Sequence, residues 1–196
     1  MLTFNEERHE YHFVGKRVPS VTQVLAPLYD FRFVNPDALE VARQEGMAIH
    51  KCVELYVKND LDEDDLPEWL QPRLAAFKKF QAETQFEFEA SEQRVHASDY
   101  GYAGTLDLKG AIQLPKRKTK TRSIIDIKRS FSAGKVIGLQ LAGYQHAEGS
   151  KTEGRFALQL RADSTYRLER FEDSTDFSTF LACLTLHKWK ERHGHH

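Results

Sequence analysis

The chain has 196 residues and a mass of 22.7 kDa, which is the size of one ordinary domain. Its composition, 40% hydrophobic and 29% charged, allows a packed core and excludes global disorder. No run approaches the length of apolar residues that a membrane span requires. We expect a cytoplasmic protein, because the acidic N-terminus lacks a secretory pattern, and Cys52 and Cys183 are too few for a disulfide framework or a four-thiolate cluster.

The charges are distributed unevenly along the chain. Residues 1–100 contain 11 Lys and Arg against 19 Asp and Glu, whereas residues 101–196 contain 17 against 10. A positive C-terminal half is typical of a protein that binds a polyanion such as a nucleic acid. Scattered surface charge explains the asymmetry equally well, because two halves of one domain can interleave in space.

Hydrophobic periodicity predicts the elements of the N-terminal part of the chain. We expect a short hairpin, a short helix and two longer helices, with the ranges Leu2–Phe13, Val21–Leu28, 36–58 and 67–83. The helix over 36–58 has the clearest start signal, because Asn35 is a strong N-cap residue and Pro36 suits the first helical position.

From residue 86 the apolar period changes to two, which is typical of strands. The predicted elements are three strands, a helix, two further strands and a final helix, at Phe86–His96, Gly101–Ile112, Ser123–Ser130, Lys135–Ala147, Arg155–Arg161, Tyr166–Phe171 and Asp176–Arg192. This order indicates an α/β protein with a mixed sheet flanked by helices. Because no long linker interrupts the pattern, we expect one domain over residues 1–196.

Two aspartates interrupt apolar strands in the segment Gly104–Lys128. The midpoint of Asp107 and Asp126 falls between positions 116 and 117, so a symmetric hairpin turn places the two aspartates opposite each other. Opposed residues have Cβ atoms about 4.5–5.5 Å apart, and two carboxylates at that separation repel unless a proton or a cation lies between them. Lys128 shares the face of Asp126, because side chains alternate along a strand.

A simple alternative is an ion pair between Asp126 and Lys128, with Asp107 as a residue near a turn. The register and the polar residues on facing sides of apolar strands favour a metal site instead. Carboxylate oxygens suit Mg²⁺ or Mn²⁺. Such a cation can activate water and neutralise charge on a phosphodiester, while the lysine adds a positive charge near the reacting groups.

Four motifs in this order resemble the PD-(D/E)XK nuclease superfamily, and most closely its RecB-type branch, which includes lambda exonuclease-like phage enzymes. They are G-x-x-x-H at Gly46–His50, G-x-x-D at Gly104–Asp107, D-x-K at Asp126–Lys128 and Q-x-x-x-Y at Gln140–Tyr144. The residue before Asp107 is Leu106 rather than the proline of the superfamily's name, and the small number of cysteines excludes the iron–sulfur subgroup.

The resemblance covers roughly residues 36–160. It implies a restriction-endonuclease-like core with the element order αβββαβ and a mixed central sheet flanked by helices. An N-terminal hairpin and helix in residues 1–35 would precede this core, and a C-terminal strand and helix in residues 161–196 would follow it.

The resemblance also implies a metal site. Asp107, Asp126 and the backbone carbonyl of Ile127 would hold Mg²⁺ or Mn²⁺, and His50 would add a nitrogen ligand from the first core helix. Glu92, on the first strand, is a candidate additional acid.

Three further residues receive catalytic roles from the same resemblance. Lys128 would position the attacking water or help to deprotonate it. Gln140 and Tyr144 are four residues apart and share a helix face, so they would contact DNA or support Lys128.

Basic residues crowd the predicted turn of the hairpin and the start of the next helix. The candidate DNA-binding residues are Lys116, Arg117, Lys118, Lys120, Arg122 and Lys135. A lysine-rich turn is often only a solubilising turn. Beside a phosphodiester site it would instead clamp the nucleic-acid backbone with sequence-independent, salt-sensitive affinity. The terminal histidines, His193, His195 and His196, receive no role.

The sequence therefore predicts a divalent-metal-dependent DNA nuclease. The resemblance implies an exonuclease that acts on single- or double-stranded DNA ends in phage or bacterial recombination or repair, within the bacterial cytoplasm. No helicase motif is present, so a helicase or recombination partner would be a separate chain.

Three alternatives stay open. They are a structure-specific endonuclease, a nuclease-like protein that binds nucleic acid without cutting it, and a hydrolase of a small phosphorylated molecule. The complete set of two acids and a lysine counts against the silent protein. The basic turn counts against the small-molecule hydrolase.

Overall fold

The structure, a computed structural model, describes residues 1–29, 32, 34–131, 134–149 and 152–194. His195 and His196 lie outside the described residues. The described part of the chain contains eight β-strands in two sheets and five α-helices. None of the described helices is long and apolar enough to cross a membrane.

A small antiparallel sheet begins the chain. It consists of β1 (Leu2–Asn5), β2 (Glu10–Phe13) and β3 (Lys16–Val18), so the predicted hairpin is present and carries a third strand. Contacts between side chains join this sheet to the larger one: the Tyr11 and Thr105 hydroxyls lie 2.7 Å apart, and the Phe13 ring stacks on His96 with centroids 3.8 Å apart.

The next helix is shorter than predicted. Helix α1 (Val21–Leu25) gives way to a 3₁₀ turn over Ala26–Leu28, whereas one continuous helix was expected. Pro27 has no amide hydrogen to donate, so the α-helical pattern does not continue through it.

Two long helices follow, and only the first begins where the sequence predicts. In α2 (Pro36–Val57) the Asn35 side chain accepts hydrogen bonds from the first-turn amides, which confirms the predicted cap. Helix α3 (Gln71–Thr84) begins four residues later than expected, because residues 67–70 form a separate turn and Pro72 occupies the first turn of the helix.

The larger sheet has five strands in the order in which they occur along the chain. They are β4 (Glu87–Ala97), β5 (Tyr102–Ile112), β6 (Thr121–Lys128), β7 (Gly154–Leu160) and β8 (Tyr166–Arg170). Strands β6 and β7 are parallel and joined through α4 (Val136–Glu148), while the other neighbours are antiparallel. The fold is therefore α/β with a mixed sheet, as predicted, and it contains the order αβββαβ. Helix α5 (Asp176–His193) ends the described chain.

Two apolar layers cover the two faces of this sheet. Helices α2 and α3 bury one face around Phe77 and Phe80, and α1, α4 and α5 bury the other around Tyr102 and Phe180. Leu106 belongs to the α4 layer but Leu108 belongs to the α2 layer, although the two residues are two apart on β5. The regular alternation of a strand is therefore broken at Asp107.

Two of the predicted motifs contact each other through Gly104 and Tyr144. A Cβ atom at Gly104 would lie 2.5 Å from Cε1 of Tyr144, whose side chain is buried. Glycine is required here because the tyrosine ring packs directly against the strand backbone.

This contact predicts a loss of stability in Gly104→Ala. Overpacking should lower its free energy of unfolding by about 1–3 kcal/mol, measured by urea denaturation. Gly46→Ala in α2 is the matched control, because a Cβ atom there meets nothing within 4 Å. The control should gain up to about 1 kcal/mol, since alanine favours helix over glycine. Wild-type stability in Gly104→Ala would contradict the close contact.

Candidate metal centre

Three side chains from three different elements converge at one point. His50 of α2, Glu92 of β4 and Asp107 of β5 each offer one ligand atom, and these atoms all lie within 4.8 Å of one another. Among the described residues this is the one group of three or more His, Cys, Asp and Glu side chains that does so. All three residues are partly buried.

The register of β5 and β6 explains how Asp107 reaches this position. Leu108 pairs with Ile125 and Gly110 with Ser123, which is the register predicted from the midpoint between the two aspartates. Regular pairing ends at Leu108, one residue before Asp107. The backbone amide of Ile127 donates a hydrogen bond of 2.7 Å to Oδ2 of Asp107, so β6 itself holds this carboxylate in place.

Strand β4 is irregular at Glu92. Its neighbours pair with Leu108 and Leu106 of β5, but Glu92 has a φ of +49°, in the left-handed region that residues other than glycine rarely adopt. Such a conformation costs on the order of 1–3 kcal/mol and is common at functional sites. By strand register, carboxylates from Glu92, Asp107 and Asp126 follow one another across three neighbouring strands.

His50 has one ring nitrogen available as a ligand. Nε2 lies 2.8 Å from the carbonyl oxygen of Ile127, and because a carbonyl can only accept, Nε2 must be the donor. In the neutral ring the lone pair is then on Nδ1, which lies 3.5 Å from Oδ2 of Asp107. A histidine that binds metal through one nitrogen typically donates the other N–H to a carbonyl or carboxylate. The Ile127 carbonyl, predicted as a metal ligand, thus accepts a hydrogen bond from His50.

Asp126 lies in a buried polar network beside this group. Its Oδ2 is 2.8 Å from Nζ of Lys128, and its Oδ1 accepts a hydrogen bond of 3.2 Å from Nε2 of Gln140. Lys128 donates to Oε1 of Gln140 at 3.3 Å, and the Tyr144 hydroxyl lies 3.5 Å from Nε2 of Gln140. Gln140 and Tyr144 are both 5% exposed. Their surroundings therefore favour support of Lys128 over contact with DNA.

Burial and mutual repulsion raise the pKa values of the acids. Burial, and then the negative charge of Asp107, raise the pKa of Glu92 to about 7. Burial also raises the pKa of Asp126; Lys128 opposes this shift and Asp107 adds to it. For Lys128, burial alone would lower the pKa, but the carboxylates of Asp126 and Asp107 hold it above its ordinary value. Lys128 is therefore a cation, which suits positioning of a water or phosphate better than accepting a proton.

The residues present fit a divalent cation. His50, Glu92 and Asp107 supply a nitrogen and two carboxylates, a set suited to Mg²⁺ or Mn²⁺. Oδ2 of Asp126 is fully buried and makes no hydrogen bond of good geometry, despite its ion pair with Lys128. A cation would also relieve the repulsion that raises the pKa of Glu92.

The basic turn lies at the end of the hairpin away from the acids, so the expectation that it adjoins them is wrong. Ile112, the last residue of β5, is five positions beyond Asp107, which is about 17 Å at the rise of a strand. Lys120 pairs with Glu87 and Arg122 with Glu89, both at 2.7 Å. Residues 116–118 are exposed on the turn, whereas Lys135 precedes the first turn of α4, the helix of Gln140.

Two side chains near the site were not found from the sequence. Tyr29 interacts electrostatically with Lys128 and Asp126; burial raises the pKa of Tyr29, Lys128 opposes the shift and Asp126 adds to it. Arg129 forms an ion pair of 3.0 Å with Glu45 and so ties the residue after β6 to α2. Neither Tyr29 nor Arg129 belongs to a recognisable motif. Each lies far in the sequence from the residues with which it interacts, so only the fold brings them together.

Comparisons with known proteins identify no family for this chain and give a distant structural similarity. No protein-family model matches the sequence, and no curated protein matches it. Among solved structures, the chain is similar to the crystal structure of an alkaline exonuclease from Laribacter hongkongensis. The sequence identity is 14%, the TM-score is 0.37, and the match covers 89% of this chain and 92% of that chain.

The geometry predicts one Mn²⁺ site, measurable by isothermal titration calorimetry. Asp107→Asn and Glu92→Gln should each weaken Mn²⁺ binding by about 10–100-fold or more, because each removes a charged ligand. Glu6→Gln is the matched control. Glu6 lines the same surface groove as His50 and Glu92 but is not one of the three converging ligands, so this variant should bind Mn²⁺ as the wild type does.

The pKa of Glu92 adds a pH dependence to the same measurement. Below pH 7 the proton competes with the cation, so affinity should fall by up to tenfold per pH unit as pH falls, and level off above pH 7. In Glu92→Gln the fall in affinity with falling pH should become shallower, because one of the protons that compete with the cation is removed. A wild-type affinity that is constant between pH 6 and 8 would exclude Glu92 as a ligand.

Proposed function

We propose that the protein is a divalent-cation-dependent nuclease that hydrolyses phosphodiester bonds of DNA. The observation that carries the proposal is the convergence of His50, Glu92 and Asp107 beside a buried Asp126–Lys128 pair. A site for a cation next to a fixed ammonium group matches the charge that develops on a phosphate under attack. The resemblance of the motifs to RecB-type nucleases supports the same assignment.

Each residue has a separate task in this proposal. His50, Glu92 and Asp107 would hold Mg²⁺ or Mn²⁺, and Asp126 and the Ile127 carbonyl are the nearest further ligand candidates. When bound, the cation lowers the pKa of water and neutralises charge on the phosphate. Lys128 places its positive charge at the reacting group.

The buried network around Lys128 keeps that charge in position. Gln140 bridges Asp126 and Lys128, and Tyr144 packs against Gly104 and lies beside Gln140. These two helix residues act as positioning residues, because their side chains are buried behind the groups that would meet the substrate.

We propose sequence-independent contacts to DNA at two distances from the site. Lys135 lies at the start of α4, five residues before Gln140. Lys116, Arg117 and Lys118 are farther away. Because successive phosphates of one strand are about 3.4 Å apart along a duplex, the stretch of β5 from Asp107 to Ile112 alone, about 17 Å, corresponds to about five nucleotides. Lys120 and Arg122 are already paired with glutamates and contribute less.

The catalytic proposal predicts the response to cation removal and to substitution. End-labelled DNA should be cleaved in Mg²⁺ or Mn²⁺ and remain intact in EDTA. Asp107→Asn should abolish cleavage, and Lys128→Met should lower the rate by about 10²–10³-fold with little change in DNA affinity. Lys79→Met, which removes an exposed lysine of α3, is the matched control and should cleave at the wild-type rate. Full activity in EDTA would refute the proposal.

We further propose that cleavage starts at DNA ends, as the resemblance to RecB-type enzymes implies. Linear DNA should be degraded progressively in Mg²⁺, whereas a covalently closed circle of the same sequence should survive at the same enzyme concentration. Gel electrophoresis of both forms over time provides the measurement. Rapid linearisation of the circle would instead indicate an endonuclease with the same site.

A further inference from the structure

Gly46 lies in the interior of a 22-residue helix, and no contact with the described residues requires a glycine there. Glycine disfavours helix relative to alanine, so it usually marks a positive φ or a close packing contact. Gly46 is not among the glycines with positive φ, and a Cβ atom there would meet none of the described residues within 4 Å. The missing side chain therefore leaves space for something outside the chain.

The space lies in a groove that opens onto the candidate metal centre. The groove has a volume of about 700 Å³, and Gly46, His50 and Glu92 all line it. Gly46 precedes His50 by four residues, so the two residues lie on the same face of α2. Any molecule that reaches the metal centre along this groove passes over the bare backbone at Gly46.

The turn between β1 and β2 forms the facing wall, through Glu6 and His9. This wall is fixed to the strand that carries Glu92. His9 contacts the Phe4 ring edge-on at 5.1 Å, and Arg94 of β4 lies 5.1 Å above the same ring and 3.5 Å from Glu6. The width of the groove is thus set by side chains anchored in the large sheet.

The groove offers the chemistry of a strand-binding site. Arg43 and Lys51 line it on either side of Gly46, and both cationic side chains are exposed, so each can turn from its glutamate, Glu40 or Glu54, to a phosphate. Met47, which is 58% exposed, offers an apolar surface for a base.

We propose that this groove binds one strand of nucleic acid, and that Gly46 lets the sugar–phosphate backbone lie against α2 on its way to the metal centre. A volume of about 700 Å³ is within the range of about 300–1,000 Å³ typical of sites for small ligands, which suits one or two nucleotides rather than a duplex. The proposal rests on the proposed nuclease function and specifies its substrate as single-stranded at the site.

The test is fluorescence anisotropy of a labelled single-stranded oligonucleotide in Ca²⁺, with the same sequence as a blunt duplex for comparison. The wild-type protein should bind the single strand at least tenfold more tightly than the duplex. Gly46→Leu should weaken single-strand binding at least tenfold, with Gly46→Ala intermediate. Ala38→Leu, which adds the same bulk to an exposed position of α2 outside the groove, is the control and should bind as the wild type does.

Two further readouts separate this proposal from a folding defect and from the nuclease proposal. Gly46→Ala should melt about 2–4 °C above the wild type, and Gly46→Leu should keep wild-type Mn²⁺ affinity, because Gly46 supplies no ligand. If Gly46→Leu weakens single-strand binding but the wild-type protein cleaves no DNA, the nuclease proposal is refuted and the groove proposal is supported. Wild-type single-strand affinity in Gly46→Leu, or equal affinity for the duplex, would overturn the groove proposal even if cleavage is observed.

Discussion

Repulsion between carboxylates is the constraint around which the rest of this structure is arranged. Glu92, Asp107 and Asp126 follow one another across β4, β5 and β6, in surroundings that are partly or fully buried. Buried like charges are costly unless they are protonated or compensated. Lys128 compensates Asp126, and the Ile127 amide stabilises Asp107, but Glu92 retains a pKa raised to about 7. The remaining excess of negative charge is what makes a divalent cation a fitting ligand.

The two helix layers contribute different residues to the surroundings of these acids. Helix α2 buries Ile49, Cys52 and Val53 in the core, and its adjacent face, with Gly46 and His50, lines the groove. Helix α4, on the other side of the sheet, brings Gln140 to Asp126 and Lys128. The break in alternation at Asp107 lies between these two layers. A cation site and a fixed ammonium group can therefore lie side by side although different helices support them.

Local signals in the sequence were sufficient for much of the fold. The Asn35–Pro36 start of α2, the change of period at residue 86 and the helix–strand order all agree with the structure. The register of β5 and β6 also agrees, because one hairpin turn determines every pair that follows it. The exceptions are equally local: Pro27 ended α1 early, and Pro72 marked a later start for α3. Propensity and turn geometry act over a few residues, so a single sequence contains them.

The sequence by itself determined the α/β order, the hairpin register and the position of Asp126 and Lys128 on one face of a strand. Only the tertiary structure decided that Glu92 converges with His50 and Asp107, and that Tyr29 lies near Lys128. Strand register and the alternation of faces follow from the two-residue repeat of a β-strand. The convergence of side chains from α2, β4 and β5 depends instead on how the helix layer packs on the sheet and where a strand departs from that repeat. The left-handed φ of Glu92 is such a departure, and it lies on the strand that faces Asp107 of β5.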